Sequence, residues 1–170
     1  MNFNKLTIKS QEAVQQAQQF AQEMGHQIIE NAHLFKAMLT VDENVMPFLF
    51  KKLNLNLSLI EQLIDSQLAS LPKVEGGDLQ LSREANRVLN SAISIANKMG
   101  DEYVSVEHLL FSIFDGKSKT AQILKDQGLT EKDLKAAITE LRQGEKITSQ
   151  SAEETYNSLN KYAKNLNQLA

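Results

Sequence analysis

The sequence predicts an all-α protein made of two repeats of four helices that pack as one bundle, followed by a further C-terminal helix. Three observations support this fold class. Glycine and proline, which interrupt helices, occur only seven times and twice among the 170 residues. Apolar residues recur at helical spacing along most of the chain. The chain also matches itself after a shift of 75 residues, so that one set of helices is present twice.

The internal repeat is defined by identical residues in residues 6–39 and 81–114. The seven identical pairs are Leu6/Leu81, Ala17/Ala92, Ala21/Ala96, Met24/Met99, Gly25/Gly100, His33/His108 and Leu34/Leu109. Farther along, a shift of 74 aligns Ile60 with Leu134 and Ile64 with Ile138. Because the order of matches persists along both halves, the two halves are expected to fold alike.

The first helix of each repeat is predicted between a hydroxyl residue and a glycine. Thr7 and Ser82 stand where an N-cap side chain accepts hydrogen bonds from the first-turn amides. Gly25 and Gly100 follow the last periodic residues, as expected for a left-handed residue that ends a helix.

The other helices follow in the same order in both repeats. Second helices are predicted at 31–41 and 106–114, third helices at 45–53 and 119–127, and fourth helices at 57–70 and 131–142. Asn56 and Thr130 are the predicted N-caps of the fourth helices, and Gly128 ends the third helix of the second repeat. No segment has a clear strand pattern.

Polar segments divide the chain into its parts. A double-repeat domain is predicted at residues 1–142, with repeat one at 1–71 and repeat two at 78–142. Residues 143–151 are polar and are predicted to form a flexible linker. Residues 152–170 return to a helical pattern, and their apolar stripe has no partner in the repeat scheme. The stripe consists of Tyr156, Leu159, Tyr162 or Ala163, Leu166 and Leu169.

Composition excludes several kinds of chemistry. The absence of cysteine excludes disulfides, thiolate metal sites and thiol catalysis. The net charge of −3 is spread along the chain without a basic block, so nucleic acid is not an expected partner. No apolar stretch has the length of a signal peptide or a membrane span. We therefore expect a soluble cytoplasmic protein without a membrane partner.

Motifs for catalysis and metal binding are incomplete. Residues 116–118 (Gly-Lys-Ser) resemble the end of a phosphate-binding loop, but Phe111 stands where that loop requires a glycine. The three histidines lack the spacing of a metal site. Asp101, Glu102 and Glu107 form an acidic group that could do acid–base work, yet Glu107 in the first turn of a helix is favoured by the helix dipole alone. The sequence predicts no active site, no metal and no cofactor in this chain.

The predicted helix at 83–99 has more apolar surface than one buried stripe needs, because Leu89 and Ile93 widen the stripe. Either the helix is buried on two sides, or it lines a partly exposed groove that takes apolar peptide segments. Beside such a groove, Asp101 and Glu107 would form an exposed acidic rim that anchors basic or amide groups. The residues alone leave both alternatives open.

Six segments together are typical of one protein family. They are Phe3-x-x-Leu6-Thr7, Ile29-Glu30-Asn31-Ala32-His33-Leu34, Leu71-Pro72-x-Val74, Val88-Leu89, Gly100-Asp101-Glu102-Tyr103-Val104-Ser105-Val106-Glu107 and Leu159-Asn160-Lys161-Tyr162-Ala163-Lys164-Asn165-Leu166. In this order and spacing they resemble the N-terminal (Clp N) domains of ClpB-type AAA+ disaggregase chaperones. The resemblance covers nearly the whole chain.

The resemblance implies a mobile, non-enzymatic module above a hexameric, ATP-driven ring. Such a module binds unfolded or aggregated polypeptide and passes it towards the pore. ATP and Mg would be bound only in ATPase modules outside this chain, and the hexamer would form through those modules. The DnaK chaperone system would be a partner of the full-length protein, whereas the isolated chain is expected to be a monomer.

The resemblance also implies six substrate-binding residues. Three match polar contacts of the family and three match the wall of its apolar groove: Thr7, Asp101 and Glu107, and Leu89, Ser91 and His108. Ser91 and His108 are polar where the family often has leucine, which weakens the expected apolar contact.

Two other interpretations stay open. An N-terminal domain of the ClpC or ClpA type would dock one folded adaptor protein and ignore denatured protein. A purely structural gate of the ring would bind neither, although its deletion would alter the ATPase activity of the ring.

Overall fold

The computed structural model describes residues 3–154, which are mainly helical. Repeat one contains α1 (Ile8–Glu23), α2 (Asn31–Val41), α3 (Val45–Lys52) and α4 (Leu57–Ala69), and repeat two contains α5 (Arg83–Lys98), α6 (Val106–Phe114), α7 (Lys119–Asp126) and α8 (Glu131–Arg142). A 3-10 turn at Phe3–Lys5 precedes α1. The predicted all-α fold is confirmed, with helix bounds within about two residues of those predicted. The predicted C-terminal stripe lies outside the described residues.

The ends of the first helices follow from their sequences. Thr7 and Ser82 each accept a hydrogen bond from the amide three residues later, at 3.1 and 2.9 Å. Gly25 and Gly100 adopt φ angles of 74° and 76°, which a residue with a Cβ rarely adopts. Both predicted caps and both predicted stops are therefore confirmed.

Two short parallel pairings join the repeats. Strand β1 (Ile28–Ile29) pairs with strand β2 (Gln80–Leu81), which places Ile29 beside Leu81. Leu6 pairs with Val104 in an isolated bridge. The shift of 75 residues places Leu6 on Leu81 and Ile29 on Val104, so the second pair is the first pair with the two repeats exchanged. An approximate two-fold axis between the repeats would produce this relation. These strands could not be predicted from the sequence, because two residues are too few to show an alternating pattern.

One apolar core extends through both repeats. Its largest fully buried side chains are Leu6, Phe35, Met38, Met46, Leu49, Phe50, Ile60, Ile64, Leu109, Leu110, Ile113 and Leu124. Within the repeats, α1 packs on α2 and α5 packs on α6. Between the repeats, α3 packs against α8 and α4 against α7, so that neither half has a separate core.

Residues 145–153, called the strap below, pack against both repeats. The sequence predicts a flexible linker at 143–151, whereas the structure buries Ile147 completely. The amide of Ile147 donates to Asp101 Oδ1 at 2.9 Å, and the carbonyl of Gln150 accepts from the first amide of α1 at 2.8 Å. One apolar residue and backbone hydrogen bonds thus attach part of this polar segment, and its flexibility stays a prediction. The bounds of the two repeats stay a prediction.

Candidate functional site

Four of the six predicted site residues belong to a buried polar cluster where α1, α5, α6, α8 and the strap meet. Its members are Thr7, Asp101, Glu107, His108, Arg142 and Glu153, and each is at most 6% exposed. Buried charges are tolerated when they are paired and hydrogen-bonded, so the partners of each group decide what the cluster can do.

Arg142, the last residue of α8, balances two buried carboxylates. Its Nε donates to Glu107 Oε2 at 2.7 Å, and its Nη1 donates to Asp101 Oδ1 at 3.0 Å. The planar guanidinium suits this arrangement because its N–H groups point in fixed directions towards two acceptors. The pairing ties the start of α6 and the turn after α5 to the end of α8.

The hydrogen bonds of His108 define the orientation and tautomer of its ring. Its Nδ1 accepts from the amide of Ser105 at 2.9 Å, so the ring proton resides on Nε2, which donates to Asp101 Oδ2 at 2.8 Å. Arg142 Nη2 also lies 3.1 Å from His108 Nε2. Since both atoms carry protons in this tautomer, that contact is not a hydrogen bond.

Asp101 remains ionised although it is buried. Burial disfavours its charged form, but hydrogen bonds from His108 and the Ile147 amide, together with the charge of Arg142, outweigh that effect and hold the pKa of Asp101 below its ordinary value. Asp101 thus connects α6, α8 and the strap through one carboxylate.

Glu153 attaches the strap to the start of α1 and α6. Its Oε2 accepts from Thr7 Oγ1 at 2.7 Å and from the Val106 amide at 3.1 Å. Within residues 3–154, neither Glu153 Oε1 nor Glu107 Oε1 has a hydrogen-bond partner. Burial, with a further contribution from the negative charge of Glu107, raises the pKa of Glu153 to about 7.

Repeat one has an uncharged counterpart of this cluster. His26 and His33 stand at the positions of Asp101 and His108, and their Nδ1 and Nε2 atoms are 2.8 Å apart. The amide of Glu30 donates to His33 Nδ1, so His33 Nε2 carries the proton that His26 accepts. Burial, and next the neighbouring His26, lower the pKa of His33 to about 4. The equivalents of Glu107 and Arg142 are Ala32 and Leu68.

The structure does not form the exposed acidic rim that the sequence predicts, because Arg142 draws both carboxylates into the interior. Leu89 lies in the core between the repeats and is only 2% exposed, so α5 is buried on two sides there. Ser91 is half-buried on α5 and does not join the cluster. The sequence patterns did not predict Arg142 or Glu153 as members of the site. A comparison of the repeats could have indicated Arg142, since a charged residue stands there where repeat one has the apolar Leu68.

An apolar pocket of about 500 Å³ opens on another face of repeat two, between α5, α6 and α8. Its apolar lining consists of Ile95, Met99, Phe111 and Ile138, and its polar lining consists of Lys98, Asp115, Glu131, Lys135 and Thr139. The Nζ atom of Lys135 lies 5.9 Å from the centre of the half-buried Phe111 ring. The sequence patterns did not predict this pocket. Phe111 could have indicated it, because an aromatic residue stands there where repeat one has Lys36.

Other kinds of site find little support in the part of the chain that the structure describes. No group of three or more His, Cys, Asp or Glu side chains among residues 3–154 could hold a metal ion. None of the helices described there is both long and apolar enough to cross a membrane.

Sequence comparison places the chain among known proteins. A model of the Clp repeat (R) N-terminal domain matches residues 5–127. The chain is 53% identical over 170 residues to the chaperone protein ClpB of Bacteroides thetaiotaomicron and 48% identical over 170 residues to that of Porphyromonas gingivalis. All of this chain but only 20% of each relative is covered. The chain thus spans a fifth of the length of these curated relatives.

Solved structures share the fold at lower identity. The N-terminal domain of Hsp104 from Candida albicans superposes with a TM-score of 0.77 at 20% identity, covering 88% of this chain and 99% of that one. A complex of the ClpV N-domain with a VipB peptide gives a TM-score of 0.67 at 15% identity, covering 81% of this chain and 86% of that one. At such identities the likeness concerns the fold alone.

Proposed function

Because the chain belongs to the Clp repeat N-terminal domain family, we propose that it binds clients for an ATP-dependent protein disaggregase. It would bind segments of unfolded or aggregated polypeptide and pass them to a hexameric ring. The domain itself is non-catalytic, and the ATPase modules of its ClpB relatives lie in the part that this chain does not cover.

The observation that supports this proposal most directly is the open apolar pocket of repeat two. Unfolded chains expose Leu, Ile, Phe and Val side chains, and removing one of them from water contributes roughly 1.5–3 kcal/mol. Phe111, Met99 and Ile95 offer such side chains an apolar surface that is only half-buried in the free domain. Binding should stay weak, because an unfolded client loses conformational entropy when it is ordered.

The charges around the pocket suit a client of varied sequence. Lys98 and Lys135 lie on the same rim as Asp115 and Glu131, so neither sign of charge dominates. A rim of mixed charge accepts flanking residues of either sign and therefore selects for the apolar side chain rather than for one sequence. The ClpV N-domain, which has the same fold, is in complex with a VipB peptide. That complex supports a polypeptide as the occupant.

The six residues implied by family resemblance stay part of the proposal in a changed role. Thr7, Asp101, Glu107, Leu89 and His108 are buried, whereas Ser91 is half-buried. The buried residues would meet a client only where the strap or the contact between the repeats opens locally. In the closed domain we propose that Asp101, Glu107 and His108 support the pocket by fixing the ends of α5, α6 and α8, whereas Thr7 and Leu89 hold the start of α1 and the contact between the repeats.

Further partners follow from the ClpB relatives and are proposals for the full-length protein. They are the other subunits of a hexamer, ATP with Mg in the ATPase modules, and the DnaK chaperone system in the cytoplasm. The isolated domain would be a monomer.

The test is an NMR titration with a model protein in its unfolded form and, separately, in its folded form. We expect saturable shifts at Ile95, Met99, Phe111 and Ile138 with the unfolded form only. Shifts with neither form would favour a structural gate. Tight binding of one folded adaptor would favour a docking domain.

A matched pair of variants assigns the binding to the pocket. Phe111→Ser should weaken client binding at least about tenfold, since the largest apolar group of the pocket is lost. Phe48→Ser is the control, because Phe48 is also half-buried and has Lys52 Nζ 5.7 Å from its ring centre, but lies outside the pocket. Equal binding by the two variants would mean that the client does not bind in this pocket.

A further inference from the structure

We propose that the domain has one client pocket rather than two, because an ion pair between Lys36 and Asp65 occupies the equivalent pocket of repeat one. This inference rests on the function proposed above and goes further by assigning binding to one repeat. It also identifies the residues that make the two repeats differ. The proposed occupant is an apolar side chain of an unfolded polypeptide.

The two pockets overlap at three equivalent positions of the repeats. A smaller pocket of about 310 Å³ lies between α2 and α4 of repeat one. The shift of 75 residues places Met99 on Met24 and Phe111 on Lys36, and the shift of 74 places Thr139 on Asp65. Each of these three pairs has one residue in the lining of the larger pocket and one in the lining of the smaller pocket.

The two pockets differ in the side chains that lie across them. In repeat one, Lys36 Nζ lies 2.6 Å from Asp65 Oδ1, so the ion pair connects α2 to α4 across the pocket. The same ammonium lies 5.9 Å from the centre of the Phe20 ring, and Phe20 is equivalent to Ile95. In repeat two the corresponding space is lined by Phe111 and Thr139, which cannot form an ion pair.

The ion pair makes the pocket of repeat one a poor place for an apolar group. Its side chains are 21% and 48% exposed, and pairs with such access to water contribute little to stability. An apolar client side chain placed there would have to remove the ammonium and the carboxylate from water or separate them, and both changes are unfavourable. The pair therefore acts on binding more than on folding.

The cation near the pocket of repeat two does not have the same effect. Lys135 is 64% exposed and pairs with Glu131 on its own helix at 3.3 Å. Its ammonium can stay in water while an apolar side chain covers Phe111. Repeat two therefore keeps an accessible apolar surface that repeat one has replaced by charge.

The test exchanges the residues between the repeats. One variant carries Lys36→Phe with Asp65→Thr, and the reciprocal variant carries Phe111→Lys with Thr139→Asp. The probe is a short synthetic peptide rich in Leu and Phe that is unfolded in isolation. Stoichiometry is measured by calorimetry, and the site is located by NMR shifts. Circular dichroism and thermal unfolding report whether each variant keeps its fold.

We expect one peptide per wild-type domain, with shifts confined to α5, α6 and α8. Lys36→Phe with Asp65→Thr should bind two peptides, and the reciprocal variant should lose at least about tenfold in affinity.

A wild-type domain that binds at repeat one, or a folded Lys36→Phe, Asp65→Thr variant that still binds one peptide, would overturn the inference and leave the proposed function intact. The wild-type measurement decides the question even if that variant does not fold. Absence of peptide binding by all three proteins would instead overturn the proposed function.

Discussion

Among single residues, Glu153 has the least usual environment, because its carboxyl is buried beside a second carboxyl. Its pKa of about 7 in the folded domain exceeds its ordinary value of 4.5. Between these two pH values the folded state binds a proton that the unfolded state has lost, so stability falls as the pH rises through this interval. Above pH 7 the full cost applies, on the order of 3 kcal/mol.

We predict that Glu153→Gln makes the domain more stable than the wild type at pH 8. The glutamine is always neutral, and its oxygen can still accept from Thr7. The difference should disappear near pH 4, where Glu153 is protonated in both states. Urea unfolding at pH 4, 6 and 8 measures it. Glu154→Gln, at the exposed neighbouring position, is the control and should leave the pH dependence unchanged.

Arg142 is the second residue with a large expected effect. Arg142→Leu would leave Asp101 and Glu107 buried without their cation, and we expect a loss of about 3–5 kcal/mol. Adding Asp101→His and Glu107→Ala would reproduce the residues of repeat one and should recover much of that loss. Denaturant unfolding of the single and triple variants measures both effects. A triple variant no more stable than the single one would contradict the equivalence of the two clusters.

Among the elements, the strap is held to the rest of the domain by contacts of a few residues. Ile147→Ala removes its one fully buried aliphatic side chain, and we expect the domain to lose about 2–5 kcal/mol. Because the carbonyls of Ile147 and Gln150 accept from the amides of Glu102 and Ile8, hydrogen exchange at those two amides should become faster. Thr148→Ala, at the exposed next position, should change neither quantity. Unchanged exchange in Ile147→Ala would mean that the strap is held by other contacts.

The helices could be predicted from sequence because their signals are local. Thr7, Ser82, Gly25 and Gly100 mark helix ends through contacts within a few residues, and the structure confirms all four. The interior position of Asp101 could not be predicted in the same way. It depends on an arginine 41 residues away, and no periodic pattern reports such a pairing.

The candidate pocket was predictable only in part. The sequence placed the binding surface on the helix at 83–99, which contributes Ile95 and Met99 to it. The sequence also predicted Leu89 as part of that surface, whereas the structure places Leu89 in the core. Apolar periodicity does not distinguish a helix surface that faces a groove from one that faces the other repeat. The contact between the repeats is what buries Leu89.

At the scale of the whole molecule, the two repeats share one apolar core. Each of the two parallel pairings has one partner from each repeat. Helices α3 and α4 of repeat one pack on α8 and α7 of repeat two, respectively. We predict that residues 78–154 alone lack a cooperative unfolding transition, because their apolar inner face would be exposed to water. Thermal unfolding followed by circular dichroism checks this. Mixing them with residues 1–77 should restore the transition, and cooperative unfolding of residues 78–154 alone would contradict the prediction.

The contact between Asn4 and Gln150 has a consequence for how the chain could be connected. The Nε2 atom of Gln150 donates to the carbonyl of Asn4 at 3.3 Å, so points far apart in the sequence meet in space. A short peptide joining these points, with the chain cut in the exposed glycine pair at 76–77, would give a circular permutant in which repeat two comes first. Helices α1 to α8, the β1–β2 pair and the Leu6–Val104 bridge would keep their partners in that permutant, whereas the contacts of Glu153 with Thr7 and Val106 would be lost. We therefore expect the two repeats to pack in the same way whichever of them is synthesised first.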